Sequence, residues 1–170
     1  MVRWLHAAVL AFALLGCSEE PLPVEGDVDL ARFQGTWYEI AKLPRPLQAR
    51  CTATTATYEL ASKSELLVKH ECREGGLDGS LHTVFARAVV GDPDVPAKLS
   101  LDFGFAFGDY WILELGDAYE YAVIGHPTRD YLWILSRTPG LDEDVISGIL
   151  ERARQQHFPV DLLDYTVQPK

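Results

Sequence analysis

Between residues 35 and 137 the chain alternates short β-prone runs with clusters of turn formers, at a nearly even spacing. The runs cover residues 35–42, 52–60, 66–72, 81–90, 98–103, 110–115, 119–126 and 131–137. Ser62-Lys63-Ser64, Gly91-Asp92-Pro93, Gly104, Gly108-Asp109, Gly116-Asp117 and Pro127-Thr128-Arg129-Asp130 separate most of them, and these residue types favour turns. Links this short join antiparallel neighbours, because a parallel crossover needs a dozen residues or more. Eight such strands either stack as a sandwich or close as a barrel. Hairpin-length links throughout favour the barrel, since a Greek key needs at least one long crossing. One helix trails the strands. Asp142 stands at its start as a candidate cap, with Glu143 and Asp144 in the first turn. Val145, Ile149 and Ala153, flanked by Ile146 and Leu150, form an apolar stripe that must lie on something. Pro159 ends this segment, and residues 165–168 read as a short returning strand. The expected fold is all-β: an eight-stranded up-and-down antiparallel barrel with one C-terminal helix packed outside.

Charge narrows the partners. Lys and Arg number 15 against 25 Asp and Glu, a formal charge of −10. Nucleic acid is excluded as a partner, because phosphate binding needs a concentrated basic face. The apolar run over residues 5–15 is too short to span a bilayer, where about 20 residues are wanted. It has the length of a signal-peptide core. Leu14-Leu15-Gly16-Cys17 resembles a bacterial lipobox, which implies cleavage before Cys17 and a lipid on its thiol. Ser18, where an Asp would resemble an inner-membrane retention signal, points to the outer membrane. The expected organisation is a lipoprotein signal peptide over residues 1–16, a lipidated N-terminus and flexible stalk over 17–27, and one domain over 28–170. Cys51 and Cys72 then lie in an oxidising compartment, at one end of the hairpin formed by the second and third runs. A disulfide there is geometrically sensible, although sequence does not prove it.

Three tracts carry a resemblance. Phe33-Gln34-Gly35-Thr36-Trp37-Tyr38-Glu39-Ile40-Ala41, Gly116-Asp117-Ala118-Tyr119-Glu120-Tyr121-Ala122-Val123 and Asp130-Tyr131-Leu132-Trp133-Ile134-Leu135-Ser136-Arg137-Thr138-Pro139 stand in order. They resemble the three signatures of the lipocalin family, and with the lipobox the chain is similar to that family's bacterial outer-membrane lipoproteins. The resemblance implies a barrel closed at one end by Trp37, with the Arg137 guanidinium across its indole; with Gly35 of the same signature, these residues are structural. It also supplies the register for an inner face made of Ala56, Tyr58, Leu66, Val68, His70, Tyr110, Ile112, Ala122, Ile124, Tyr131, Trp133 and Leu135. That lining is apolar and aromatic with a few polar tips, as a ligand pocket requires. Lys42, Arg45 and Arg50, in the first long loop, are candidate rim residues for an anionic head group.

The implied function is binding, storage or transport of a fatty acid (palmitate is one) or a lysophospholipid. The domain would face the periplasm, anchored to the outer membrane, with a homodimer left open. No cofactor and no catalysis are expected. The sequence has no Gly-x-Ser-x-Gly elbow. Its histidines, His6, His70, His82, His126 and His157, show no metal-ligand spacing on a helix face, so no metal is expected. His70-Glu71-Cys72 points its members to opposite faces of a strand. The alternative is a lipocalin-fold enzyme acting on a lipid or isoprenoid through an inner carboxylate such as Glu114.

Overall fold

The computed structural model describes residues 20–104 and 106–169. Its elements are α1 (Leu30–Phe33), β1 (Gly35–Lys42), β2 (Cys51–Ser62), β3 (Glu65–Glu74), β4 (Ser80–Val90), β5 (Lys98–Asp102), β6 (Phe107–Leu115), β7 (Tyr121–Gly125), β8 (Leu132–Ser136), α2 (Glu143–Gln155) and β9 (Asp164–Tyr165). Each strand from β1 to β8 runs antiparallel to the next, and β1 pairs with both β2 and β8. The sheet therefore closes on itself as the expected barrel, which removes the exposed edges an open sheet would have. Cys17 lies outside the described residues.

Alternation along the strands separates two cores. The inner one fills the lower barrel with Phe33, Trp37, Tyr58, Leu66, Val68, Ile112, Ala122 and Ile124. The outer one forms where α2 lays Ile149 and Ala153 on Ile40, Leu113, Val123, Leu132 and Ile134, with Phe158 completing the contact. Each large side chain so buried contributes roughly 1.5–3 kcal/mol. Asp142 occupies the cap position of α2, but its side chain makes no capping hydrogen bond; its carbonyl accepts from the Ile146 amide at 3.0 Å.

Four register shifts break the alternation; one, between Leu60 and Ser62 on β2, lies at the closed end, and two of the others move side chains of interest. On β2, Thr52 pairs with Arg73 and Thr55 with Glu71, so Ala53 and Thr54 together oppose Cys72. Ala53 takes φ 48° to make the insertion. The extra residue turns Cys51 to the face that Cys72 occupies, and the two form a disulfide across a Cα–Cα distance of 5.4 Å. On β6, Ile112 pairs with Ile124 and Glu114 with Val123, leaving Leu113 as the extra residue. Leu113 joins the outer core, and Glu114 also points outward. The inner carboxylate considered for an enzyme is thus outside, bonded to Arg152 of α2 at 2.6 and 2.8 Å and accepting from the Tyr121 hydroxyl at 2.6 Å. On β1, the pairing with β8 shifts between Glu39 and Ala41.

Both ends of the described chain are pinned to the barrel. Residues 20–27 were expected as a free stalk, yet Leu22 is buried in the outer core. The Glu25 amide donates to the Ile112 carbonyl at 2.9 Å, and the Glu20 carbonyl accepts from Arg129 at 2.7 Å. A leucine among the prolines is enough to dock the segment. At the other end, β1 and β2 pair only from Gly35↔Tyr58 to Tyr38↔Thr55 and then diverge. The C-terminal segment fills the gap. β9 pairs with Ala41 and Lys42, the Thr166 amide donates to the Ile40 carbonyl at 2.9 Å, and the Ala53 amide donates to Val167 at 2.7 Å. Gln168 Nε2 then donates to the carbonyls of both Glu39 and Thr54, at 2.8 and 2.9 Å.

Candidate functional site

One end of the barrel is sealed. Trp37 is wholly buried, and its indole N–H donates to the Phe33 carbonyl at 2.8 Å. Phe33 stacks on Trp37 with ring centroids 4.9 Å apart and meets Tyr58 edge-on at 5.0 Å. The Arg137 guanidinium lies 3.8 Å from the Trp37 ring centroid and donates to the carbonyls of Arg32, Thr36 and Tyr119. Such a cation–π contact contributes about 0.5–2 kcal/mol. Gly35 has φ +95°, and a Cβ there would sit 3.2 Å from the Arg137 guanidinium. The glycine serves both the backbone and the approach of the arginine. These residues close the barrel and hold nothing that could react.

The other end is open. A cavity of about 800 Å³ enters the barrel between the loop over residues 43–50 and the β7–β8 connection. Ala56, His70, Tyr110, Tyr131, Trp133 and Leu135 border it. The other inner-face residues expected there, Tyr58, Leu66, Val68, Ile112, Ala122 and Ile124, pack lower in the inner core, between the cavity and the Trp37 seal. The barrel is therefore a cup with a solid base. The Tyr58 and Tyr110 hydroxyls join at 2.6 Å, and burial pushes both phenols well above their usual range. His70 presents a buried Nε2 with no hydrogen-bond partner among the described residues. Burial lowers its pKa to about 4, so the ring is neutral at pH 7.

The rim differs from expectation at one position. Arg45 lies 3.2 Å from the Tyr131 ring centroid, and Arg50 approaches Glu74 at 3.8 Å; both border the mouth. Lys42 does not. It is buried, with Nζ 2.8 Å from Glu39, and the same carboxylate oxygen accepts from the Thr166 hydroxyl at 2.6 Å. The docked C-terminal segment covers this pair, so Lys42 holds the wall together and cannot reach a head group. Glu39 itself borders the cavity. The alternation that turns Trp37 inward also turns Glu39 inward, and that signal was present in the signature tract. Thr54, Val84, Leu101 and Phe103 also border the cavity without having been expected there. Alternation from Ala56 turns Thr54 inward, so that signal was also present; for the others no local signal distinguishes lining from core.

Comparison with known proteins agrees with this geometry. The lipocalin-like domain family matches residues 28–168. The "Outer membrane lipoprotein Blc" of Escherichia coli (strain K12) is 32% identical over 168 residues, covering 96% of this chain and 94% of that protein. "Temperature-induced lipocalin-1" of Arabidopsis thaliana is 32% identical, covering 88% of this chain and 84% of its own. "Apolipoprotein D" of Rattus norvegicus is 31% identical, covering 74% and 69%. Among solved structures, insecticyanin from the tobacco hornworm Manduca sexta superposes with a TM-score of 0.67 at 22% identity, covering 89% of this chain and 86% of that one. Lobster apocrustacyanin A1 does so with a TM-score of 0.67 at 19% identity, covering 88% and 92%. The structures carry the fold, the family match and the sequence relatives carry the kinship, and together they show that the chain belongs to the lipocalin family.

Proposed function

We propose that this protein stores or transports a single-chain amphiphile, a fatty acid or a lysophospholipid, in the cup, without catalysing a reaction on it. The observation that carries the reading is the open cavity of about 800 Å³, far above what a barrel packed solid with side chains would leave and within the usual span of ligand sites. Ala56, Leu101, Leu135, Trp133 and Phe103 give it apolar walls. Each methylene moved from water onto such walls contributes about 0.8 kcal/mol, so an acyl chain can bind well after its entropic losses. Arg45 and Arg50 at the mouth suit a carboxylate or phosphate left outside. Glu114, the carboxylate named for an enzyme, points outward to Arg152, and Glu39, which does border the cavity, is held by Lys42 and Thr166.

The bacterial relatives are outer membrane lipoproteins by name, which supports an outer-membrane location for this chain. Cys17 would supply the anchor, with the domain facing the periplasm. Native mass spectrometry of the delipidated protein, recorded after adding palmitate and lysophosphatidylethanolamine in turn, tests the cavity reading. A mass increment of one ligand is expected. No increment with either amphiphile overturns it.

A further inference from the structure

We infer that the open end of the barrel is the face this protein lays on a lipid bilayer, with the apolar tips of the mouth loops entering the interfacial layer. The inference rests on the reading of Cys17 as a lipid anchor. It adds an orientation and a docking surface which that reading leaves unspecified.

The first observation is the direction in which the N-terminal segment runs. Asp29 lies at the closed end, where its amide donates to the Tyr119 hydroxyl at 2.8 Å. Going backwards along the chain, Glu25 meets Ile112 halfway up β6, and Leu22 is buried in the outer core. Glu20 then reaches the mouth, where its carbonyl accepts from Arg129 in the connection between β7 and β8. Tyr131 and His126 of that same connection border the cavity opening. Cys17 is three residues before Glu20. Three extended residues reach about 10 Å at most. β2 runs from mouth to base over 12 residues. At about 3.3 Å per residue and with the usual barrel tilt, this makes the barrel roughly 30 Å tall. An anchor on Cys17 therefore holds the mouth near the membrane and cannot hold the base there.

The second observation is the distribution of exposed apolar side chains. The mouth carries Leu47 at 94% exposure, Phe107 at 73%, Leu81 at 53% and Leu77 at 42%. Leu47 sits on the short 3-10 turn Pro46–Gln48, and the stacking of Arg45 on Tyr131 holds the start of its loop in place. Among the described residues the connections at the closed end expose Lys63, Asp92, Asp94, Asp117 and Glu120, and no large apolar side chain. Side chains of this kind at one end of a barrel suit the interface of a bilayer, where apolar tips gain and polar flanks stay wet. Charge is not the attraction. Arg45, Arg50 and Arg73 at the mouth stand beside Glu71, Glu74, Asp78 and Asp130. The contact is accordingly apolar and insensitive to salt, and it opens the cup directly onto the lipid from which a ligand would enter.

The test uses the full lipidated chain in vesicles of phosphatidylethanolamine and phosphatidylglycerol that carry a nitroxide-labelled phospholipid. In that chain the Cys17 thiol is acylated and Cys51 and Cys72 are paired, so an introduced cysteine takes a fluorophore selectively. Leu47→Cys and Leu77→Cys report the mouth; Lys63→Cys and Asp117→Cys report the base. The expected result is quenching severalfold stronger at both mouth positions than at both base positions, unchanged by added salt. Equal quenching at the two ends, stronger quenching at the base, quenching at neither end, or mouth quenching abolished by salt would each overturn the inference. The ligand mass increment of the two base-labelled proteins, whose labels lie away from the cavity, is read in parallel. Loss of orientation with the increment intact condemns the docking surface alone, whereas loss of the increment condemns the cavity reading.

Discussion

His70 shows how one residue couples the cavity to the stability of the barrel. Its Nε2 is buried without a partner among the described residues, and burial holds its pKa at about 4. In the unfolded chain a histidine titrates near 6.5. The folded-state value is the lower one, so the contribution to stability is fully present above pH 6.5. As the pH falls from there the unfolded chain takes up a proton that the folded protein refuses, and stability declines until about pH 4. Between pH 7 and pH 5 this single group removes about 2 kcal/mol. His70→Phe should flatten that part of the profile, which urea denaturation at the two pH values measures as the difference between variant and parent. An unchanged slope would mean that the ring is hydrated in the cup and titrates normally. Glu39 is a buried polar group that does have partners. Lys42 and Thr166 share one of its oxygens, and burial of such a group is costly unless it is hydrogen-bonded.

At the scale of elements, most of what the sequence implied about strands lay in their turns. β1 begins at Gly35 and ends at Lys42 as its β-prone run suggests, and α2 lies on the barrel through the apolar stripe of Ile149 and Ala153. Parity within the strands was less legible. An inserted residue such as Ala53 or Leu113 has no local mark, yet it reverses the face of everything beyond it. That is why Glu114 was placed inside, and how Cys51 comes to share the face of Cys72. The sequence implied a returning strand over residues 165–168, observed at Asp164–Tyr165, but not the seam between β1 and β2 that this segment fills, because its partners lie more than 100 positions away, as Gln168 shows in bridging Glu39 and Thr54. Deleting residues 164–170 should therefore open this seam and leave the rest of the barrel closed. Amide exchange read by mass spectrometry should accelerate at Ala53, whose amide donates to Val167, while β3 and β4 keep their protection. Removing Thr166 also strips a hydrogen bond from the Glu39–Lys42 pair, and a hydrogen bond to a charged group is worth about 1.5–3 kcal/mol. Uniform acceleration across every strand would show instead that the tail supports the whole fold.

For the whole molecule, the division of the barrel into a solid base and an open cup separates stability from binding. Trp37, Arg137, Gly35 and the inner core around Leu66 and Ile124 hold the closed end, and none of them borders the cavity. A ligand therefore adds to stability without replacing anything the base supplies. A ligand at one hundred times its dissociation constant stabilises by about 2.7 kcal/mol. In a domain of this size each kcal/mol shifts Tm by about 2–4 °C, so saturating amphiphile should raise the melting point by about 5–10 °C. Ala56 offers the complementary test. It borders the cavity, pairs with Trp37 on β1 and His70 on β3, and carries only a methyl group into the space. Ala56→Phe places a ring in the volume an acyl chain would occupy, while the closed end keeps its own contacts. The filled variant should melt within a few degrees of the parent when empty and lose most of the ligand-induced rise. If it kept the full rise, the amphiphile would be bound somewhere other than the cup, and the hollow above Tyr58 and Tyr110 would have no part in carrying it.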